Sequence, residues 1–215
     1  MLTSSPSGGS PASVIRSTLS GAWRFALTGV GAFAVWAFAG RWFHENAGEG
    51  ALFAAIAAAF ILLAGVTLAP LVPGPRRVVE LYRVFVPAFL AYAVVWCVSW
   101  FLLGFGLGEW LGSLFGSVAF VGVASWLLGN PRPFAVASAV FFAAHTCGYF
   151  AGGALMALIL READGGLLSG LSREAAGILG KLSWGLAYGS GFGAGLGYTF
   201  RVCRPRLVPE RQSEA

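Results

Sequence analysis

Charged residues are scarce in this chain. They make up 11% of its 215 residues, whereas a soluble globular domain typically has about 25%. Apolar residues reach 57%, the mean hydropathy is +0.76, and several apolar runs are long enough to cross a bilayer. These values exclude an ordinary soluble domain and predict a polytopic membrane protein.

Cysteine, histidine and familiar catalytic motifs are also rare. The three cysteines, Cys97, Cys147 and Cys203, form no CxxC pair, which argues against a thiol–disulfide enzyme and a thiolate zinc site. Ligation of haem by two histidines requires both at the same depth in the membrane. His44 is expected near a membrane surface and His145 near mid-membrane, so this pair does not meet the requirement. No P-loop, HExxH, GxSxG or GxGxxG pattern occurs. We therefore expect no cofactor and no bound metal.

The net charge of +5 comes from thirteen arginines and one lysine against nine acids. Most of these basic residues flank apolar runs, where topology signals and lipid headgroup contacts are found, so nucleic acid is not an expected partner. No Asp or Glu lies deep within a run. That absence argues against an intramembrane aspartyl protease and against ion-coupled transport.

The apolar runs predict an all-α, polytopic transmembrane helix bundle. Residues 1–21, rich in Ser, Gly and Pro, are expected to form a disordered polar tail, and residues 205–215 a cytoplasmic C-terminal tail. Between them the bundle occupies residues 22–204. Its six predicted spans are 22–40, 51–72, 84–104, 109–129, 134–160 and 181–200.

Basic residues predict the orientation of these spans. With both termini in the cytoplasm, ten arginines fall on the inner side, and three arginines and the lysine on the outer side, as the positive-inside rule requires. The expected location is the inner (plasma) membrane, with membrane lipid as a partner. A competing interpretation reads Ala37-Phe38-Ala39 as a signal-peptidase site.

Glycine recurs every four residues in the last span. In a membrane helix such a row, often called a glycine zipper, leaves a groove free of side chains into which another helix can settle. A shorter glycine row on the fourth span is interpreted in the same way. Tyr92, Trp96 and Trp100 form an aromatic row on the third span. A sterol, quinone or lipid tail in the groove is the alternative. The predicted packing glycines are Gly185, Gly189, Gly193, Gly197, Gly108, Gly112, Gly116, Gly148 and Gly152.

His145 is the strongest single candidate for a functional side chain. At helical spacing it shares a face with Ser138, Gly148 and Gly152, so it should lie inside the bundle, and Tyr149 follows one turn later. We assign His145, Ser138 and Tyr149 to a candidate intramembrane polar site. Its alternatives are a proton relay, a cofactor ligand or substrate contact, and a histidine that only donates a hydrogen bond.

The outer side carries the remaining polar candidates. A divalent metal could in principle be bound by the side chains of His44, Glu45 and Glu49, but their spacing matches no metal-binding motif. A solvated loop is therefore the favoured interpretation of this segment. Glu109 is expected to begin the fourth helix at the interface, and Lys181 to extend toward water from the sixth. Residues 167–179 predict either a short amphipathic surface helix or an early start of the sixth helix.

Three classes of function remain open. The favoured one is a non-enzymatic integral membrane protein that packs with itself, as a homo-oligomer, or with a partner membrane subunit. A small transporter or channel for a neutral or hydrophobic solute is the alternative. A membrane-embedded enzyme or cofactor carrier using His145 is the second alternative.

Overall fold

A computed structural model describes residues 10–204 of the chain. Within that range 86% of residues are helical and there is no strand, which confirms an all-helical fold with six helices. The helices are α1 (Pro11–Asn46), α2 (Glu49–Leu68), α3 (Arg77–Leu103), α4 (Leu107–Leu127), α5 (Phe134–Ala163) and α6 (Arg173–Val202). Five of them, α1 to α5, are long and apolar enough to cross a membrane.

The first helix begins earlier than the sequence predicted. Residues 11–21 were assigned to a disordered tail, but α1 starts at Pro11, because proline at the first helical position costs no hydrogen bond. The Ser17 hydroxyl donates to the carbonyl of Gly197 at 2.8 Å, so this early part is held by α6. Residues 1–9 and the predicted tail at 205–215 lie outside the described residues.

The first helix also ends later than predicted. It continues through Asn46, whereas the sequence predicts a solvated loop after residue 40. No glycine or proline interrupts residues 41–46, and Arg41 pairs with Glu45 one turn later at 2.9 Å. At 36 residues α1 is about 54 Å long, so it exceeds the ~30 Å of a hydrocarbon core.

The connection between α2 and α3 is shorter than expected. A 3₁₀ turn at Ala69–Leu71 follows α2, and α3 starts at Arg77 rather than at residue 84. Pro70, Pro73 and Pro75 confine the break to this segment, because proline removes a backbone donor and restricts the residue before it.

Residues 164–172 form turns, and α6 begins at Arg173. Ser172 caps it by accepting a hydrogen bond from the Ala175 amide at 3.1 Å. The separate surface helix at 167–179 was therefore a wrong alternative. The early start of the sixth helix is the correct one.

The six helices form a ring in which each packs against its neighbours in the chain and α6 closes on α1. α1 and α6 are antiparallel, since the Arg201 guanidinium donates to Ser13 Oγ at 2.9 Å while Gly29 lies beside Gly185. The start of α1 and the end of α6 are consequently at the same end of the ring.

Aromatic side chains fill the interior of the ring. Phe192 of α6 is fully buried and packs against Phe25 of α1, at 4.9 Å between ring centroids, and against Phe141 of α5, at 4.8 Å. Rings from α3 and α4, among them Tyr92 and Phe120, contact it as well. Close packing at the axis leaves the centre of the ring occupied by protein.

A tight turn joins α3 to α4. Gly104 and Gly106 both have positive φ, at 69° and 78°, a region that glycine enters without the strain a Cβ would bring. Glu109 closes the turn by accepting a hydrogen bond from the Gly106 amide at 3.0 Å. Glu109 thus stabilises the start of α4, as the sequence suggested.

Candidate functional site

His145 lies on α5 and is fully buried. Its side chain points into the interior of the ring, where the rings of Tyr92, Tyr188 and Phe192 have their centroids within 6 Å of the imidazole centroid. The helical face of α5 that His145 shares with Ser138, Gly148 and Gly152 is buried too.

Two tyrosines continue from the imidazole. The Tyr92 hydroxyl lies 2.7 Å from His145 Nε2, and the Tyr188 hydroxyl donates to Tyr92 at 3.2 Å. With Tyr188 as donor, the hydroxyl proton of Tyr92 is free to point at Nε2. The three side chains, contributed by α6, α3 and α5, form one hydrogen-bonded row that we call the Tyr–Tyr–His row.

His145 Nδ1 has no hydrogen-bond partner among residues 10–204 and is inaccessible to solvent. When Tyr92 donates to Nε2, the imidazole proton must reside on Nδ1, and that N–H is buried and unpaired. A buried donor without a hydrogen-bond partner destabilises the folded state by about 1–3 kcal/mol, so the Nδ1–H group is energetically unfavourable inside the bundle.

The other two predicted site residues do not join this row. Ser138 Oγ is buried and unpartnered within the described part of the chain. The Tyr149 hydroxyl donates to Glu109 at 2.8 Å and thereby links α5 to the start of α4. Tyr149 and His145 are in ring contact, at 6.3 Å between centroids, without a hydrogen bond between them.

Sequence reasoning missed the roles of Tyr92 and Tyr188. It placed Tyr92 in an aromatic packing row and did not single out Tyr188. A usable signal was present, because a tyrosine in mid-span must find a partner for its hydroxyl. Nothing local to either residue says that this partner is His145.

The glycines spaced by four on α6 lie against α1. A Cβ built on Gly189 would come within 2.9 Å of the Cα of Ala26, and one on Gly193 within 2.9 Å of the carbonyl carbon of Gly21. Gly185 faces Gly29, and Gly197 faces Ser17 in the same way. The two backbones are in direct contact along this face.

A second face of α6 lies against α5. Gly148 is opposite Gly191, where a Cβ on either would come within 2.9 Å of the other's Cα, and Gly152 is opposite the Trp184 side chain. Helix α6 therefore has backbone-level contacts on two sides, which explains how 30 residues with this much glycine remain helical.

The third glycine row faces the aromatic row of α3. Gly116 lies against the Tyr92 ring, Gly112 against Trp96, and Gly108 against the backbone at Trp100. The two rows that the sequence showed separately are thus opposite faces of one α3–α4 contact. No lipid-sized groove remains between these particular residues.

The polar residues that the sequence predicts for the outer side are dispersed. His44 and Glu45 belong to the last turns of α1, and Glu49 begins α2. Between residues 10 and 204, no three His, Cys, Asp or Glu side chains are arranged to share a metal ion. Lys181 places its ammonium over the Trp36 ring, 5.1 Å from the centroid.

Comparisons of the chain with protein-family models, with curated proteins and with solved structures find no match. Its function is therefore inferred from the geometry of its own residues.

Proposed function

We propose that the chain is a six-span integral membrane protein of the inner (plasma) membrane with both termini in the cytoplasm. The register of α1 and α6 supports the sixth span. Gly21 of α1 lies beside Gly197 of α6, and Gly29 of α1 lies beside Gly185 of α6. Helix α6 therefore covers the same depth as α1, which is apolar enough to span a membrane. Its low hydropathy reflects glycines that face α1 and α5 instead of lipid.

Basic residues support the cytoplasmic assignment. The end of the ring that holds the start of α1 and the end of α6 also holds Arg76 and Arg132, which lie between helices, and Arg77, which begins α3. Reporter fusions after Arg77 and Arg206 should read cytoplasmic and a fusion after Gly166 periplasmic. A periplasmic reading at Arg206 would mean an odd number of spans and would refute this topology.

We further propose that the protein acts without chemistry of its own, through helix packing with itself or with a partner membrane subunit. The observation that carries this proposal is the filled axis of the ring, where Phe192 is packed by aromatic rings from four other helices. A channel or a carrier in this conformation would need an opening where these rings lie.

The glycine rows pack against other helices of the same chain, so a partner subunit has to bind a different face of the bundle. In α2 and α3, only 22% and 17% of the residues in the most apolar stretch are buried, against 44% in α4. Val66 of α2 and Leu102 of α3 are 80% and 77% exposed. The buried fractions of α2 and α3 are the two lowest among α1 to α5, so this side of the ring offers an apolar surface to lipid or to a second subunit.

Molecular mass in mild detergent tests the proposal. Light scattering should give a protein mass above the 22.4 kDa of one chain. In a variant without native cysteines, Val66→Cys should form cross-links that Leu158→Cys, on the outer surface of α5, does not form. A particle of one chain with no cross-linking at either position would contradict it.

A second candidate function rests on the unpaired Nδ1 of His145. His145 is buried, with a tyrosine on one ring nitrogen and no partner for the other among residues 10–204. Such a side chain could exchange protons, since intramembrane ionisable groups are commonly functional. Under this alternative the Tyr–Tyr–His row moves a proton between His145 and Tyr188. Substitution of His145, described below, separates the two candidates.

A further inference from the structure

A pocket of about 250 Å³ opens at the end of the ring where α1 begins and α6 ends. Its lining includes apolar side chains, among them Val84, Leu127 and Leu128, which we call the apolar wall. The lining also includes Glu80 and Arg83 from the first turns of α3 and Arg204 just after α6. A water molecule takes up about 30 Å³ of liquid, so the space admits a polyatomic ion with several waters.

The charges around this pocket are unbalanced. Two guanidinium groups face it with a single carboxylate, and within residues 10–204 the ion pairs are Arg41–Glu45 and Arg161–Glu162, both at the opposite end. Neither Arg83 nor Arg204 donates a hydrogen bond to another side chain or carbonyl of the described chain. As far as residues 10–204 are concerned, the donors of both guanidinium groups are therefore available to a ligand.

The position of Arg204 makes an anion favourable there. Partial burial lowers the pKa of this guanidinium; Glu80 opposes that effect, and the nearby Arg201 adds to it. A cation that is partly desolvated and close to a second cation gains more from an incoming anion than one in open solvent does. A guanidinium fork also matches the geometry of phosphate oxygens.

The surroundings indicate where such an anion comes from. Basic pockets between transmembrane helices on the cytoplasmic side characteristically hold anionic lipid headgroups. The apolar wall of Val84, Leu127 and Leu128 gives the glycerol and acyl part of a lipid something to contact. Free phosphate would engage the two arginines alone.

We propose that Arg83 and Arg204 bind a phosphate group in this pocket, supplied by an anionic phospholipid headgroup or by a soluble phosphate compound. Glu80 limits the affinity by repelling the anion. The site is independent of the oligomeric state and of His145, and only the choice of a lipid headgroup as its source rests on the proposed cytoplasmic position of this end.

Binding to the full-length protein in a nonionic detergent tests this inference. The probes are inorganic phosphate, phosphatidylglycerol and, as the zwitterionic reference, phosphatidylcholine. Arg83→Gln and Arg204→Gln should each weaken binding of the anionic probe about tenfold, as expected for loss of one charged hydrogen bond. Glu80→Gln should strengthen it, and Arg76→Gln, exposed at the same end but outside the pocket, should leave it unchanged.

The probes distinguish the two sources of phosphate. Binding of phosphatidylglycerol but not inorganic phosphate assigns the site to a headgroup, whereas equal binding of inorganic phosphate assigns it to a soluble compound. Arg83 is exposed, so its variant keeps the test valid even if Arg204→Gln fails to fold. Equal affinities for Arg83→Gln and Arg76→Gln, or weaker binding by Glu80→Gln, would overturn the proposal.

Discussion

The Tyr92 hydroxyl lies 2.7 Å from Nε2 of His145, although the two residues are 53 positions apart and their helices are not neighbours in the ring. The Tyr92 ring lies against Gly116 of α4, and the two side chains meet in the interior of the ring of helices. Because Tyr188 donates to the same hydroxyl, Tyr92 is the middle member of the row and holds α3, α5 and α6 together by polar contacts.

Tyr92→Phe should destabilise the bundle by about 1–3 kcal/mol, because it leaves both the imidazole and the Tyr188 hydroxyl buried without a partner. Tyr188→Phe is the matched control. It removes one terminal donor and keeps the Tyr92–His145 bond, so its cost should be about 0.5–1.5 kcal/mol. Unfolding in mixed detergent micelles measures both, and an equal loss would mean that Tyr92 is not central.

His145→Gln separates packing from proton exchange. An amide can accept the hydrogen bond from Tyr92 but cannot titrate near neutral pH. If the residue only packs, the variant should be folded, inserted and fully functional in a growth assay. A folded variant that loses the phenotype would support the second candidate function instead.

Gly189→Leu should force α1 away from α6 and lower the thermal stability of the protein in detergent. A Cβ at this position already meets the backbone of Phe25 and Ala26, which cannot move as a flexible side chain would. Gly177→Leu, on the same helix in open space, is the control and should be tolerated. If both variants melt together with the wild type, the α1–α6 contact is not close.

Phe192→Ala should be the most destabilising single truncation on α6, at about 3–5 kcal/mol, because it empties the centre of the ring. Phe38, which is 69% exposed on α1, provides a control of identical chemistry. Its replacement by alanine should change the unfolding free energy by much less. Equal effects at the two positions would show that the axis is not packed.

Cys203 should react slowly with a water-soluble maleimide in the folded protein. The thiol is buried, and burial raises its pKa to about 11, so little of it is thiolate at neutral pH. Because the pKa is raised, the labelling rate should increase as the pH approaches 11. Cys203→Ser identifies the labelled residue by mass spectrometry, and rapid labelling at pH 7 would show that this end of α6 is open.

Much of the secondary structure could be predicted from the sequence, and the errors have local causes. The six apolar runs correspond to six helices, since a backbone in hydrocarbon must form its hydrogen bonds within the segment. Apolar content marks the part of a helix that lies in lipid, however, and not its ends. Residues 11–21 and 41–46 belong to helix α1 but are polar. The prediction missed them because they lie beyond the apolar stretch of that helix.

The candidate site was only partly predictable. Periodicity along α5 correctly indicated that His145 is buried with Ser138, since residues on one helical face share an environment. Tyr149, assigned to the same candidate site, is buried and contacts the His145 ring, but its hydroxyl donates to Glu109 on α4 instead of joining His145. Which way a tyrosine extends depends on neighbours that periodicity does not report.

The sequence by itself determined the class of protein, because a chain with so few charges and such long apolar runs is stable only where its helices contact lipid or one another. Tertiary structure decided what those helices bring together. Tyr188 meets Tyr92 from 96 positions away, and Arg204 joins Arg83 beside one pocket. Both contacts require α6 to pack against α1 and so close the ring of helices. That closure depends on packing between helices and not on the sequence pattern within any one helix.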